Sequence, residues 1–164
     1  MEHVFFIEPL VAGRSGPDKD MWDIETLQGE GVATILSVND GEMVHVSRLT
    51  SLGIEYLHIP LSSNAPIQEG DLGICLQALP RIVRFIDVSQ KLGTVLIHCR
   101  SGKDRTGLAL AAYLVEVKGY RIQAAMDAVK SVQPNAFSAA GWDEFARCVL
   151  SEYEQTKFTR NNAS

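Results

Sequence analysis

The sequence predicts a single α/β domain in which a central, mainly parallel β-sheet is flanked by helices. Short apolar runs typical of strands alternate along the chain with segments of helical spacing. No internal repeat, low-complexity tract or linker interrupts this alternation. The 164 residues are enough for one hydrophobic core but short for two. We therefore expect one domain over residues 1–155 and a frayed tail over residues 156–164.

Apolar runs, punctuated by glycine and proline, predict the elements of the first half of the chain. Strands are expected at Val32–Val38, a buried apolar run that follows Gly29 and Gly31, and at Ile54–Ile59, which Pro60 ends. A polar segment without a clear period follows at residues 61–70, and loops of this length are often functional. Helices are expected at Met21–Gln28 and Val44–Leu52.

The second half is mainly helical and contains one short strand. Asp71–Leu92 keeps helical spacing, although Pro80 within it predicts a kink or a break. Thr94–Ile97 is wholly apolar, which is typical of a strand in the middle of a parallel sheet. Three further helices are expected at Leu108–Lys118, Arg121–Val132 and Ala139–Gln155.

Composition and charge argue against several classes of protein. A net charge of −5 does not favour a nucleic-acid-binding surface, since phosphate backbones require a basic face. No stretch approaches the roughly 18 apolar residues of a membrane-spanning helix, so no stable membrane insertion is expected. The first residues have no basic lead and too short an apolar run for a signal peptide. We therefore expect a cytoplasmic protein.

Three cysteines are widely spaced along the chain. No Cys-x-x-Cys pair occurs, so the sequence indicates neither a zinc site nor a disulfide framework. Cys75 and Cys148 are expected to be buried as small hydrophobic side chains. Cys99 differs from them because of its neighbours.

The segment His98–Gly107 reads His-Cys-Arg-Ser-Gly-Lys-Asp-Arg-Thr-Gly and lies between a buried strand and a helix. Ligands of α/β sheets bind at the carboxyl ends of the strands, which is the place this segment occupies. The backbone N–H groups of residues 100–105 can curve round one point, and Gly102 leaves room for them. The next helix directs its free N–H groups and positive dipole end to the same point. The segment therefore predicts a socket for a phosphate dianion.

Four side chains of this segment have predicted roles. A helix N-terminus favours the thiolate form of a cysteine, so Cys99 is the candidate nucleophile. The planar guanidinium of Arg105 can hold two phosphoryl oxygens, and Thr106 can donate a hydrogen bond to the departing sulfur. His98 is expected to brace the loop. The predicted phosphate-binding residues are Arg100, Ser101, Gly102, Lys103, Asp104 and Arg105.

His98-Cys99, five intervening residues, Arg105 and Thr106-Gly107 resemble the signature of the cysteine-based protein-tyrosine phosphatase superfamily, in its dual-specificity-like branch. Weaker matches in three flanking stretches extend the resemblance over roughly residues 20–150. The resemblance implies a protein-tyrosine-phosphatase-like fold and hydrolysis through a phosphocysteine intermediate, without a metal or other cofactor. The flanking matches are Met21–Val38, Tyr56–Pro60 and Gln133–Phe137.

The general acid of that branch, an aspartate soon after the strand that here ends at Pro60, has no counterpart in residues 61–64. A leaving alkoxide or phenoxide still needs a proton. Asp104 resembles the loop aspartate to which this role is assigned in bacterial lipid-and-protein phosphatases and in myotubularins. Asp71, or Glu69 beside it, could act from the end of the long loop, although an aspartate there is also typical of a helix N-cap. We favour Asp104 over Asp71.

The sequence favours an enzyme that hydrolyses phosphotyrosine and phosphoserine or phosphothreonine in a phosphorylated protein. Lys103 resembles a lysine that accompanies phosphoinositide substrates in related lipid phosphatases, so a phosphoinositide or inositol phosphate phosphatase is an alternative. A weakly active module that only binds phosphate is a second alternative, since the usual acid is missing. A thiol redox protein using Cys99 is a third.

Overall fold

The computed structural model describes the backbone of residues 1–163 and the side chains of residues 1–156. Its centre is a five-stranded sheet, and the sequence-based prediction of an α/β fold with a mainly parallel sheet is confirmed. The spatial order of the strands is β1-β2-β5-β3-β4, with β1 antiparallel at one edge and the other four parallel. In chain order the strands are Phe5–Glu8 (β1), Val11–Ser15 (β2), Val32–Ser37 (β3), Glu55–His58 (β4) and Thr94–Cys99 (β5).

Helices cover both faces of the sheet. The side chains of the central strand alternate between two hydrophobic clusters, with Val95 and Ile97 in the larger and Leu96 in the smaller. Ile24–Gly29 (α1) and Val46–Ser51 (α2) contribute to the smaller cluster. The helices that contribute to the larger cluster are Asp71–Ser89 (α3), Asp104–Glu116 (α4), Ile122–Val132 (α5) and Trp142–Ala163 (α6).

The carboxyl end of β5 lies between the ends of its two parallel neighbours. Ser15 at the end of β2 pairs with Cys99, and Ser37 at the end of β3 pairs with His98. All six residues of β5 are buried. Because parallel strands end at the same edge of a sheet, the loops after β2, β5 and β3 meet around Cys99.

The sequence analysis did not anticipate β1 and β2. Both are short, and β2 is buried on both sides, so it has no alternation of apolar and polar residues to identify it. The other strands and most helices differ from their predicted bounds by a few residues. The helix after Cys99 starts at Asp104 and not at Leu108, since the end of the motif itself forms the first turn.

The expected break at Pro80 does not occur, because α3 continues through it. The apolar face around it, Leu79, Ile82 and Val83, is buried, and this packing offsets the hydrogen bond that proline cannot make. At the chain end, α6 continues to Ala163, beyond the expected end at Gln155. In the predicted frayed tail, the side chains after Thr156 and the whole of Ser164 lie outside the described residues.

The two cysteines outside the motif have different environments. Cys75 is buried, as predicted, but Cys148 is exposed, so the prediction for it was wrong. The buried face of α6 includes Trp142, Ala146 and Val149, and position 148 faces away from it. Among the residues that the structure describes, no helix combines the length and apolar character needed to cross a membrane.

Candidate active site

Cys99 ends β5 at the start of a loop, residues 99–105, that we call the site loop. Its side chain is only 2% exposed, so the sulfur lies at the base of the loop and not on the outer surface. Thr106 Oγ1, in the first turn of α4, donates a hydrogen bond of 3.1 Å to Cys99 Sγ. A donor at this distance stabilises a sulfur anion.

The backbone of the site loop supplies further donors. In the described part of the chain, the N–H groups of residues 101–105 donate to no protein acceptor. Those of Asp104 and Arg105 belong to the first turn of α4, where the helix dipole is positive. Gly102 has φ +68°, and a Cβ there would lie 2.7 Å from the backbone N of Ser15. The tight packing against β2 therefore requires glycine at this position.

Arg105 is fixed by two contacts that hold its guanidinium beside the long loop after β4. Its Nε donates to the carbonyl oxygen of Ser62 over 3.0 Å, and its guanidinium carbon lies 4.8 Å from the ring centroid of Trp142. The indole of Trp142 is buried, and its Nε1 donates to the carbonyl oxygen of Asn64 over 3.0 Å. Within the described residues, the two terminal nitrogens of Arg105 donate to no protein acceptor, which leaves them available for an oxyanion.

His98 is buried beneath the site loop and is held by two hydrogen bonds. Burial lowers its pKa to about 4, so the imidazole is neutral at neutral pH. Its Nδ1 lies 3.1 Å from the carbonyl oxygen of Cys99, which only accepts, so Nδ1 carries the proton. Nε2 then accepts from the Ser37 hydroxyl at 2.5 Å, and Tyr56 OH donates to Ser37 at 2.7 Å. These contacts indicate a brace for the loop backbone and not a base.

Asp104 and Asp71 are both buried, but their partners differ. Asp104 is 4% exposed, and among the described residues its carboxylate accepts one long hydrogen bond, of 3.5 Å, from the Ala139 N–H to Oδ1. Asp71 accepts from Asn64 Nδ2 at 2.9 Å and from the Gln68 N–H at 2.6 Å. Hydrogen bonds, led by that of the Ser62 side chain, lower the pKa of Asp71 and favour its carboxylate form. Glu69, beside Asp71, is exposed.

Asp71 is the first residue of α3, and Gly70 occupies the N-cap. The Asp71 carboxylate accepts hydrogen bonds from the loop before the helix, so Asp71 is not the helix N-cap that the sequence suggested. The same loop supplies the carbonyl groups that contact Arg105 and Trp142. Asp71 therefore organises the loop that positions the guanidinium.

The remaining side chains of the site loop point in different directions. Arg100 is about two-thirds exposed and forms an ion pair of 3.4 Å with Asp18. Its backbone oxygen accepts from the Gly16 N–H over 2.9 Å. Ser101 and Lys103 line a cavity on the side of the loop next to β2. The ion pair with Asp18 therefore holds the side chain of Arg100 at the outer surface of the loop.

Sequence reasoning missed the residues that fix Arg105 and the loop after β2. Trp142 and Ser62 are distant from Arg105 in sequence, and no spacing rule connects them to it. Arg14 is buried and donates to the carbonyl oxygens of Ser15, Asp20 and Met21. Arg14 is an isolated arginine in a strand that was itself not predicted, so nothing in the sequence marked it as part of the site.

Comparison with known proteins identifies the family. The family model for the dual specificity phosphatase catalytic domain matches residues 20–155. Human dual specificity protein phosphatase 2 is 30% identical over 124 residues, which cover 73% of this chain and 36% of that protein. Phosphatidylglycerophosphate phosphatase PTPMT1 of Arabidopsis thaliana is 27% identical over 121 residues, which cover 72% of this chain and 34% of that protein. The chain thus spans about a third of the length of these two curated relatives.

A crystal structure of PTPMT1 in complex with PI(5)P superimposes with a TM-score of 0.75 at 20% identity, covering 98% of this chain and 99% of that one. At this identity the likeness concerns the fold. The match to the family model covers most of the chain and includes the site loop and the whole of β3 to α5. The chain belongs to the family of dual specificity phosphatase catalytic domains.

Proposed function

We propose that this chain is a cysteine-dependent phosphatase that hydrolyses phosphotyrosine and phosphoserine or phosphothreonine through a phosphocysteine intermediate. The observation that carries the proposal is the hydrogen bond from Thr106 Oγ1 to Cys99 Sγ at the start of α4. The loop N–H groups and the terminal nitrogens of Arg105, which have no acceptor among the described residues, supply the donors that a phosphate needs. Membership of the dual specificity phosphatase family supports the same chemistry.

In the first step, the thiolate of Cys99 attacks the phosphorus atom. A P–S bond forms while the bond from phosphorus to the ester oxygen breaks, and that oxygen leaves with a proton from a carboxylic acid. The loop N–H groups and Arg105 hold the three non-bridging oxygens, where charge develops in the transition state.

In the second step, a water molecule attacks the phosphocysteine. Its oxygen bonds to phosphorus, the P–S bond breaks, and the carboxylate formed in the first step accepts the proton of the water. Thr106 donates its hydroxyl hydrogen bond to the departing sulfur anion of Cys99. Inorganic phosphate leaves, and the thiolate and the acid return to their starting forms.

We assign the acid role to Asp104. It lies in the site loop, its side chain is buried, and among the described residues its carboxylate accepts one long hydrogen bond. Asp71 is a weaker candidate, because its two oxygens are occupied by Asn64 and Gln68 and its pKa is lowered. The assignment predicts that Asp104→Asn lowers turnover of an alkyl phosphate far more than Asp71→Asn does. The opposite order would transfer the role to Asp71.

A phosphoinositide or inositol phosphate is the second candidate substrate. It is supported by the similarity to the phosphatidylglycerophosphate phosphatase PTPMT1 of Arabidopsis thaliana and by Lys103 beside the site. The two substrate classes share the chemistry above and differ only in what surrounds the scissile phosphate. A panel of phosphotyrosine peptide, phosphothreonine peptide and phosphoinositides ranks them by kcat/KM.

The first test of the activity is hydrolysis of para-nitrophenyl phosphate, with Cys99→Ser as the matched control. We expect turnover by the native chain that vanadate inhibits and that the variant lacks. Absence of turnover by the native chain, with phosphate still bound, would support the module that only binds phosphate. Turnover that persists in Cys99→Ser would exclude the thiolate mechanism.

A further inference from the structure

A groove of about 490 Å³ lies on the side of the site loop that carries Arg100, between the segment after β2 and the loop after β3. Two methionines of its lining are exposed, Met21 by 88% and Met43 by 43%. Apolar side chains that lie together on the surface are typical of a binding site. We call this feature the methionine groove, and its apolar lining consists of Pro17, Met21, Trp22, Ile24 and Met43.

The methionine groove adjoins the site loop. Asp18, which also lines the groove, has its Oδ2 3.4 Å from Arg100 Nε. Arg100 directly follows Cys99 in the chain, so one arginine side chain separates the edge of the groove from the candidate nucleophile. An extended peptide rises about 3.3 Å per residue, so two or three residues span about 7–10 Å. A residue at that separation from a phosphorylated residue therefore reaches the groove while the phosphate occupies the site loop.

The floor of the groove is fixed relative to the site loop. Trp22 is buried, and its Nε1 donates a hydrogen bond of 2.9 Å to the carbonyl oxygen of Ser15 at the end of β2. Its ring meets that of His98 edge to face, with 4.6 Å between the ring centroids. His98 is in turn hydrogen-bonded to the carbonyl oxygen of Cys99. The floor therefore keeps its distance from the nucleophile, and only the methionine side chains must be ordered when a ligand binds.

The polar side chains of the lining favour an apolar ligand of limited size. Arg48 forms an ion pair with Glu25, and Asp18 forms the ion pair with Arg100, so both charges of the lining already have partners. A further charged group would lose hydration without gaining a free partner from them. The third polar side chain is His45. Because these three side chains interrupt the apolar surface, the groove suits one amino-acid side chain better than the long apolar chain of a lipid.

We propose that the methionine groove binds a large apolar side chain of a phosphorylated protein substrate, two or three residues from the phosphorylated residue. The proposal rests on the proposed phosphatase function and names a feature of its protein substrates. Methionine suits this role, because its unbranched and polarisable side chain adapts to ligands of different shape. A leucine, methionine or phenylalanine bound against Met21 and Met43 removes apolar surface of both molecules from water, which favours binding.

The test uses phosphotyrosine and phosphothreonine peptides with polar flanking residues and a single leucine. The leucine lies two or three positions from the phosphorylated residue, on either side, and a peptide with leucine six positions away is the reference. For each peptide, kcat/KM is measured with the native chain, with Met21→Gln/Met43→Gln, with Met21→Leu/Met43→Leu and with Leu92→Gln. Leu92 is 65% exposed and precedes β5, at the opposite end of that strand from Cys99, so Leu92→Gln is the matched control for the loss of an exposed apolar side chain.

We expect leucine at one of the near positions to raise kcat/KM of the native chain about tenfold over the reference peptide. The glutamine double variant should reduce this preference to about twofold or less, since it keeps the length of the side chains and removes their apolar character. The leucine double variant and Leu92→Gln should keep the preference. All four proteins should turn over para-nitrophenyl phosphate at the same rate, which shows that the fold and the site loop are intact.

An equal preference in the native chain and the glutamine double variant would overturn the proposal, as would the absence of any preference in the native chain. Turnover of para-nitrophenyl phosphate without turnover of any peptide would also overturn it. A phosphatidyl substrate is the remaining arm: a rise of kcat/KM with acyl-chain length that only the glutamine double variant loses would assign the groove to a lipid and contradict the proposal. Failure of the phosphatase function itself would appear separately, as lack of turnover of para-nitrophenyl phosphate.

Discussion

Thr106 Oγ1 donates a hydrogen bond to Cys99 Sγ over 3.1 Å, from the first turn of the helix that follows the loop. In the proposed mechanism this bond stabilises the sulfur as it leaves the phosphocysteine, so its loss should slow the second step more than the first. We expect Thr106→Val to slow release of phosphate from the intermediate by roughly 10- to 100-fold, the equivalent of one hydrogen bond to a charged group. Rapid-quench kinetics should then show a burst of alcohol product. Thr106→Ser keeps the hydroxyl and should show no such burst; equal rates for the two variants would contradict the assigned role.

Trp142 provides the surface on which Arg105 lies, and its indole N–H fixes the long loop through Asn64. We expect Trp142→Phe to lower the free energy of unfolding by about 1 kcal/mol through the lost hydrogen bond. It should also lower kcat/KM severalfold, because a phenyl ring holds the guanidinium less firmly. Trp22→Phe is the matched control, since it loses an indole bond of 2.9 Å to Ser15 without contacting Arg105. Equal losses of activity in both variants would argue against a specific role for Trp142.

Gly102 and Gly29 should respond to alanine in opposite directions. At position 102 the backbone has φ +68°, and the new Cβ would lie 2.7 Å from backbone atoms of Arg14 and Ser15. We expect Gly102→Ala to cost about 3 kcal/mol of stability or more and to abolish phosphate binding. Gly29 ends α1 with nothing within 4 Å of a Cβ, so Gly29→Ala should be neutral or stabilising by up to about 1 kcal/mol. Urea denaturation measures both, and a tolerated Gly102→Ala would show that the loop is less tightly packed than described.

The buried imidazole of His98 makes stability depend on pH. Its pKa is lowered from 6.5 to about 4 in the folded chain, chiefly by burial, whereas in the unfolded chain it is near 6.5. Between pH 4 and pH 6.5 the unfolded chain binds a proton that the folded chain does not. The stability that the neutral imidazole contributes is therefore fully present above pH 6.5 and is lost as the pH falls toward 4. The loss attributable to this group is about 3 kcal/mol.

The measurement is the free energy of unfolding at pH 7 and at pH 5 for the native chain and for His98→Gln. The variant should lose less stability between the two pH values than the native chain, because it has no group that titrates at this position. Identical pH dependence would mean that the imidazole is not held neutral by burial.

The core of the candidate site was predictable because its information is local. Strand, loop and helix follow one another within residues 94–116, so the cysteine and the arginine, six positions apart, lie at the two ends of one loop. The alternation of apolar strands and helical segments was likewise sufficient to predict the fold class. Local patterns of this kind depend on neighbouring residues and not on distant contacts.

The parts that were missed depend on contacts between distant segments. The edge hairpin of β1 and β2 has no period to identify it, since β2 is buried on both sides. The support of Arg105 by Ser62 and Trp142 joins positions that are 43 and 37 residues from it in the chain. Cys148 was misassigned for a simpler reason, because residue type alone does not say which face of a helix a side chain occupies.

The most direct measurement of the central proposal is acid-quench trapping of the phosphorylated chain during turnover of para-nitrophenyl phosphate, followed by mass spectrometry of its peptides. We predict one phosphoryl group, on the peptide that contains Cys99, and its absence from Cys99→Ser. Release of phosphate by the native chain without any covalent adduct, or an adduct on a different side chain, would contradict the proposed mechanism.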